Sequence, residues 1–402
     1  MQSVVNIGML GHVDHGKTSI TRAITGIWTD TYSEEIKRGI SIRIGYADAS
    51  IYHCDSCDLY TTKETCPKCG RPTRFERKIS FVDAPGHETL MTTAIAVSNI
   101  IDGAILVIAA DEKCPQPQTK EHLMVLQAMG VKHLIVLQNK VDLVKRERAL
   151  EHYNEIRAFL HEFGYGDDVP IIPVSATFGI NMEFVLEAIQ KFIPTPERDP
   201  TLPYLMYVVR SFDVNKPGTN IKDLKGGVIG GSLIQGELSV GDQIEIRPGI
   251  MYKIKDKDVV EPIVTEVTSL FAGSEPLETA RPGGLIAIGT KLDPALTKGD
   301  NLSGCVAGKP GTLGNNTNLI TIDYRLLDRT DFDNKPLTQG EPIVISVGTT
   351  TTIGVIAELK GSHVTIRTKR EIYAIPNTNA AISRRVGQRW RLAGYGKVVK
   401  VG

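Results

Sequence analysis

No stretch of this chain stays apolar for long. The longest aliphatic run, Ala104–Ala110, falls far short of the ~20 residues that a membrane-spanning helix needs. Met1–Leu10 lacks a charged leader and a small-residue cleavage site, so no export signal is expected. Net charge is lacking too. Lys+Arg number 46 and Asp+Glu number 46 in 402 residues, which excludes bulk attraction to nucleic acid and leaves only local patches for it. Fixed-period repeats and low-complexity tracts are absent. Cysteine is scarce, with six in all, and most of them crowd into one short segment. That is not a secreted disulfide scaffold, and a reducing, cytoplasmic setting is expected.

What is present is an ordinary globular composition, 41% hydrophobic and 23% charged. At roughly 100–200 residues per domain, the length implies about two to four domains. Up to Pro194 the pattern alternates. Strands are expected at 4–10, 79–83, 104–109, 134–138 and 171–175, and helices at 17–25, 89–99, 120–129, 146–163 and 182–192. This alternation predicts an α/β domain with a parallel sheet and helices on both faces. Pro194, Pro196, Pro200 and Pro203 mark a linker. Beyond it, short β runs recur between glycine and proline turns, first over 205–289 and then over 319–395, which predicts two β-barrels or sandwiches. The expected domains are 1–198, 199–312 and 313–402.

Gly11-His12-Val13-Asp14-His15-Gly16-Lys17-Thr18 fits the phosphate-loop pattern between a strand and a helix. The glycines let backbone N–H groups turn inward toward phosphate oxygens, and the helix N-terminus adds partial positive charge. Lys17 brings a full charge to the β- and γ-phosphates, and Thr18 a hydroxyl to Mg²⁺. Asn139-Lys140-Val141-Asp142 ends a later strand. The Asp142 carboxylate can accept from guanine N1–H and its exocyclic amine, a pair that adenine lacks. Asn139 suits the N7 edge, and the Lys140 stem covers a ring face. Ser175-Ala176-Thr177 ends another strand and offers the Ala176 N–H to the guanine carbonyl. GTP is the expected nucleotide. Asp83-Ala84-Pro85-Gly86-His87 suits a γ-phosphate sensor. Asp83 holds Mg²⁺ through water, Gly86 gives its N–H to the phosphate, and His87 stands near the attacking water.

Cys54-x-x-Cys57 and Cys66-x-x-Cys69 sit eight residues apart. Two such turns can close a tetrahedral sulfur shell around Zn²⁺ and fold an insert of about residues 53–72 that is too small for its own core. His53 is an alternative ligand, and an iron–sulfur cluster a less favoured occupant. From Lys360 to Gly402, ten Lys/Arg face one acid, Glu371. This segment is either a solvated basic face or a patch for an RNA backbone.

GHVDHGKT, DAPGH and NKVD in this order resemble the translational GTPases. The cysteine insert, GISIRIGYAD and Cys114–His122 (CPQPQTKEH) together resemble, within that group, the gamma subunits of archaeal and eukaryotic translation initiation factor two. The resemblance implies a GTPase domain followed by two β-barrels. It implies GTP-dependent delivery of methionyl initiator tRNA to the small ribosomal subunit, with hydrolysis to GDP, and a heterotrimer with alpha and beta subunits. Carried over by position, Asp14, His15, Gly16, Lys17, Thr18 and Ser19 surround the phosphates, and Thr18 and Ser41 hold Mg²⁺. A second Mg²⁺ belongs near Asp14 and the Gly39 backbone. Val13 and Ile40 form an apolar gate beside His87. Ser41 stands where the group commonly has Thr; its hydroxyl preserves coordination, while the lost methyl is expected to loosen the closed switch. The rivals are an elongation-type or selenocysteinyl-tRNA carrier, against which the insert and CPQPQTKEH argue, and the GTPase subunit of a sulfate-activating enzyme. A nucleotide scaffold without turnover conflicts with intact Lys17, Thr18, Asp83 and His87.

Overall fold

Val5–Leu10 (β1) is buried at every position, as befits a strand covered on both faces. In the computed structural model, which describes residues 1–29, 44–84, 91–255, 257–329 and 331–402, it lies mid-sheet in the first of two units, Ser3–Pro196. The sheet is completed by β2 (Gly45–Cys54), β3 (Leu59–Thr61), β4 (Arg74–Asp83), β5 (Gly103–Ala109), β6 (His133–Asn139) and β7 (Ile171–Pro173), in the order β3-β2-β4-β1-β5-β6-β7. From β4 to β7 the neighbours are parallel. The other edge departs from the expected parallel order, because β2 runs antiparallel to β4 and turns back into β3. Sequence reading had no strand at 45–54. Its burial alternates, the signature of a strand with one face covered, and it lacks the continuous apolar run of its neighbours.

The helices are α1 (Lys17–Thr25), α2 (Met91–Ser98), α3 (Pro117–Ala128), α4 (Arg146–Glu162) and α5 (Met182–Phe192). Ile20 and Ile24 of α1 and Val185, Leu186 and Ile189 of α5 pack with Val5, Ile7 and Met9 of β1 in one core. α2 and α3 lie against each other and against β1 and β5. The Arg77 guanidinium on β4 donates to the Ile189 and Ile193 carbonyls at 2.8 and 2.7 Å. It thereby ties β4 to the end of α5, adding a second donor at the Ile189 carbonyl, which already accepts the Ile193 N–H at 3.1 Å, and reaching the Ile193 carbonyl beyond the last turn.

The second unit is Glu197–Gly402 with Met1–Gln2. Its first half holds β8 (Leu205–Phe212), β9 (Val228–Gln235), β10 (Leu238–Ser239), β11 (Gln243–Ile254), β12 (Lys257–Ala272), β13 (Glu275–Leu277), β14 (Thr279–Ala280), β15 (Ile286–Thr290) and β16 (Val306–Gly308). A β11–β12 pairing closes β11-β16-β8-β9-β15-β12 on itself. The second half is a closed barrel in the order β17-β20-β19-β18-β21-β22. Its strands are β17 (Thr317–Leu326), β18 (Pro342–Val347), β19 (Thr350–Lys360), β20 (His363–Ile372), β21 (Asn379–Val386) and β22 (Arg389–Val401). Inward Ile and Val residues alternate with outward polar ones, and each barrel fills its own core. The barrels meet where Cβ space at Gly348 is closed by the Tyr207 ring, 2.9 Å away. Among the described residues no helix is long and apolar enough to cross a membrane.

Candidate functional site

The loop 11–18 joins the end of β1 to the start of α1. It turns through three left-handed residues: Gly11 at φ 138°, Asp14 at 62° and Gly16 at 93°. A Cβ at Gly11 would fall 2.3 Å from the Val107 carbonyl oxygen, and one at Gly16 would fall 2.3 Å from Asn139 Nδ2. Both positions therefore need glycine for space as well as for conformation. Lys17 is buried, and its Nζ donates to the Gly11 and His12 carbonyls at 3.0 and 2.8 Å. The ammonium thus waits at the mouth of the loop on weak neutral acceptors that phosphate oxygens can replace. Thr18 Oγ1 donates to Asp83 Oδ2 at 2.8 Å, and Thr29 Oγ1 reaches the same oxygen at 2.8 Å. Hydroxyl and buried carboxylate oxygens converging beside a phosphate loop suit a hard divalent cation.

Asn139, at the end of β6, locks the neighbouring loops together. Its Nδ2 donates to the His15 carbonyl at 2.8 Å, and its Oδ1 accepts from the Ala176 N–H at 3.2 Å. Lys140 follows at φ 62° with its Nζ 3.7 Å from Asp111. Val141 and Asp142 form a single helical turn, Val141–Leu143, on which the Asp142 carboxylate is exposed to solvent. Ser175 is buried, with an Oγ that has no partner among the described residues, while Thr177 is exposed. Asp14 is exposed at the loop tip, and Val13 and Ser19 are half-buried. Gly39, Ile40, Ser41, Gly86 and His87 lie outside the described residues, so the gate, the switch ligand and the attacking-water histidine are not located.

Three residues missed by sequence reading stand around the loop and Asp83: His122, Glu112 and Thr29. His122 on α3 is fully buried, and its Nδ1 accepts the Gly11 N–H at 2.9 Å. Burial, with Lys17 and two histidines nearby, pushes its imidazole down to about 3. It is therefore neutral, as an acceptor must be. His15 turns its ring away from the nucleotide side, toward the Val107 carbonyl at 3.1 Å and Glu112 at 3.2 Å. Burial lowers its pKa against the pull of Glu112. Thr29 is the third. His122 closes the CPQPQTKEH string, whose residues carry no local sign of this contact.

The four sulfurs of Cys54, Cys57, Cys66 and Cys69 lie within 4.8 Å of one another, with Cys54 and Cys69 3.6 Å apart. Thiolates at ~2.3 Å from zinc in a tetrahedron sit about 3.8 Å apart, so the set fits that ion. Asp58 and Gly70 take left-handed conformations (φ 48° and 70°) directly after the two turns. Neighbouring thiols push Cys57 up to about 12. Burial opposes ionisation at Cys66, but the backbone N–H groups of Cys69 and Lys68 outweigh it and hold that thiol at about 6. Both ring nitrogens of His53 are engaged, by Asp55 at 2.8 Å and Asp58 at 3.1 Å, which leaves the shell to sulfur.

A phosphate loop, a guanine-type Asn-Lys-x-Asp strand end and a following pair of closed barrels define a translational GTPase. The family model described as Elongation factor Tu GTP binding domain matches residues 2–195. Elongation factor Tu domain 2 matches 226–303, and Initiation factor eIF2 gamma, C terminal, matches 318–398. The chain is 55% identical to translation initiation factor 2 subunit gamma of Methanococcus maripaludis strain C7, over 99% of both chains. It is 51% identical to the protein of that name from Pyrococcus abyssi, over 98% of this chain and 97% of the other. A bacterial selenocysteine-specific elongation factor EF-Sec is a more distant structural relative. It is 26% identical with a TM-score of 0.75, covering 99% of this chain and 58% of that one. The chain belongs to the translation initiation factor 2 gamma-subunit family, and with it to the GTP-hydrolysing factors of translation.

Proposed function

We propose that this chain carries methionyl initiator tRNA to the small ribosomal subunit while GTP is bound and releases it after hydrolysis to GDP and phosphate. The observation that carries this reading is the 2.8 Å contact of Thr18 with Asp83 at the mouth of the phosphate loop, on a chain whose relatives are initiation factors along their full length. The backbone of 14–19 cradles the phosphates, and Lys17 exchanges its carbonyl partners for β- and γ-oxygens. Asn139, Lys140, Asp142 and the 175–177 turn hold guanine. Gly86 senses the γ-phosphate, and His87 orients the attacking water behind the Val13–Ile40 gate. Mg²⁺ on Thr18, Ser41 and, through water, Asp83 would offset charge on the phosphates, with a second ion beside Asp14 and Gly39. Zn²⁺ on the four cysteines would hold the insert folded. The partners are alpha and beta subunits of the same factor, the setting is cytoplasmic, and the domains divide at 198 and 312.

The test is binding of charged initiator tRNA, with and without candidate partner subunits, in the presence of a GTP analogue or GDP. Clearly tighter binding with the analogue is expected; equal affinity would overturn the reading. A His87→Ala chain that turned over GTP at the wild-type stimulated rate would remove the role given to that residue.

A further inference from the structure

Asp14 and Gly16 both take left-handed backbone angles, φ 62° and 93°. His15, between them, turns its ring into the body of the domain, where the side chain is fully buried. The Val107 carbonyl can only accept, so Nδ1, 3.1 Å away, carries the hydrogen of that contact. Nε2 meets the Glu112 carboxylate at 3.2 Å, its one partner among the described residues. The ring is thus held at both nitrogens, by β5 and by the turn that follows it. The backbone is held as well, since the His15 carbonyl accepts from Asn139.

Glu112 is itself fixed. Its N–H reaches the Ala109 carbonyl at 3.4 Å, and its carbonyl accepts from Arg148 of α4 at 2.9 Å. Arg148 is gripped by Glu155 at 2.6 Å, and Glu155 accepts the Cys114 N–H at 2.9 Å. Two residues of α4 therefore pin the turn on either side of Lys113. A support locked in this way presents the Glu112 carboxylate to His15 with little freedom of its own. Its charge is the wrong one for the place. A carboxylate beside a phosphate loop repels the anion that the loop receives, so charge alone would favour a neutral residue there. What Glu112 offers is reach to a buried ring nitrogen that would otherwise be left unpaired.

We infer that Glu112 is a positioning residue for nucleotide retention: by holding the His15 ring it keeps the phosphate loop curled and slows the release of bound GDP and GTP. It acts through His15 and not on the nucleotide. The inference rests on the placing of the phosphates in the 14–19 loop proposed above.

The test separates reach from charge. Release of ribose-labelled fluorescent GDP, and of a labelled GTP analogue, is timed by stopped flow from the intact chain and from its Glu112→Ala, Glu112→Asp and Glu112→Gln variants, all with Mg²⁺. Alanine leaves Nε2 without a partner, and aspartate keeps the charge but falls one methylene short. Both variants are expected to release nucleotide about tenfold faster, with association rates and melting curves close to wild type. The aspartate variant carries the test if the alanine variant does not fold. Glutamine keeps the reach and can donate to a neutral Nε2, so it should release at the wild-type rate. Wild-type release from the alanine and aspartate variants would overturn the inference. So would slower release from the glutamine variant, which would mean that the carboxylate acts by its charge, or fast release that glutamine does not rescue. Lys17→Ala is measured alongside. Wild-type GDP affinity in that variant would overturn the placing of the phosphates and this inference with it, whereas wild-type release from the Glu112 variants leaves that placing intact.

Discussion

The Asn139 carboxamide joins the nucleotide loops by donating to the His15 carbonyl at 2.8 Å while accepting from the Ala176 N–H. One side chain thus sets the spacing between the phosphate end and the base end of the site before any ligand arrives. Removing it strands a buried carbonyl and a half-buried N–H, each costing about 1–3 kcal/mol. Asn139→Ala is expected to weaken GTP and GDP alike by roughly 30-fold or more, measured by calorimetry. An unchanged affinity would show that the loops hold their spacing without it.

In the proposed guanine contact, Asp142 is the group that would select the base. Replacing its carboxylate with an amide turns one acceptor into a donor facing guanine N1–H and the exocyclic amine. Asp142→Asn should raise the Kd for GTP by roughly 10²-fold or more. Xanthosine triphosphate, which presents a carbonyl there, should gain affinity in a competition assay.

The sulfur cluster should retain about one zinc per chain through purification, read by metal analysis. Because thiolates are the ligands, protons compete with the metal and zinc should be lost on acidification. Cys57→Ser and Cys66→Ser chains should lose the metal and become protease-sensitive between residues 53 and 72, while still binding GTP. A fully folded insert without metal would remove the structural role.

His122 gives a pH signature. Its imidazole, ordinarily near 6.5, is pushed down to about 3 by burial and the nearby cations. Between those values the unfolded chain binds a proton that the folded chain refuses. This contribution to stability is therefore complete above pH 6.5 and shrinks as pH falls toward 3. His122→Gln keeps an acceptor for the Gly11 N–H but cannot titrate, so it should flatten the acid limb of a stability–pH curve. His15, also held below its ordinary value, should leave part of the limb in place.

Legibility followed burial. β1, β5 and β6 are covered on both faces and read as plain apolar runs, and the phosphate loop is a local string whose chemistry is carried by adjacent residues. β2 was illegible because half of its residues face away from the core. The two-residue strands β10 and β14 are too short to show a period. The contacts of His122 and Glu112 with the loop, and of Thr29 with Asp83, depend on approaches between elements far apart in sequence, and no spacing rule announces them. The sequence leaves His53 open between ligand and bystander, and its two carboxylate partners, Asp55 and Asp58, come from the turn geometry alone.

Both borders of the seven-stranded sheet end in strands of only three residues, Leu59–Thr61 and Ile171–Pro173. A three-residue rim offers few free amides and carbonyls to a stranger's strand, and Pro173 removes one donor more. The cysteine turns continue directly from the first of these rims. A metal closing them would therefore also guard the sheet against templated self-association, and a metal-starved chain should form oligomers well before its GTP site is lost.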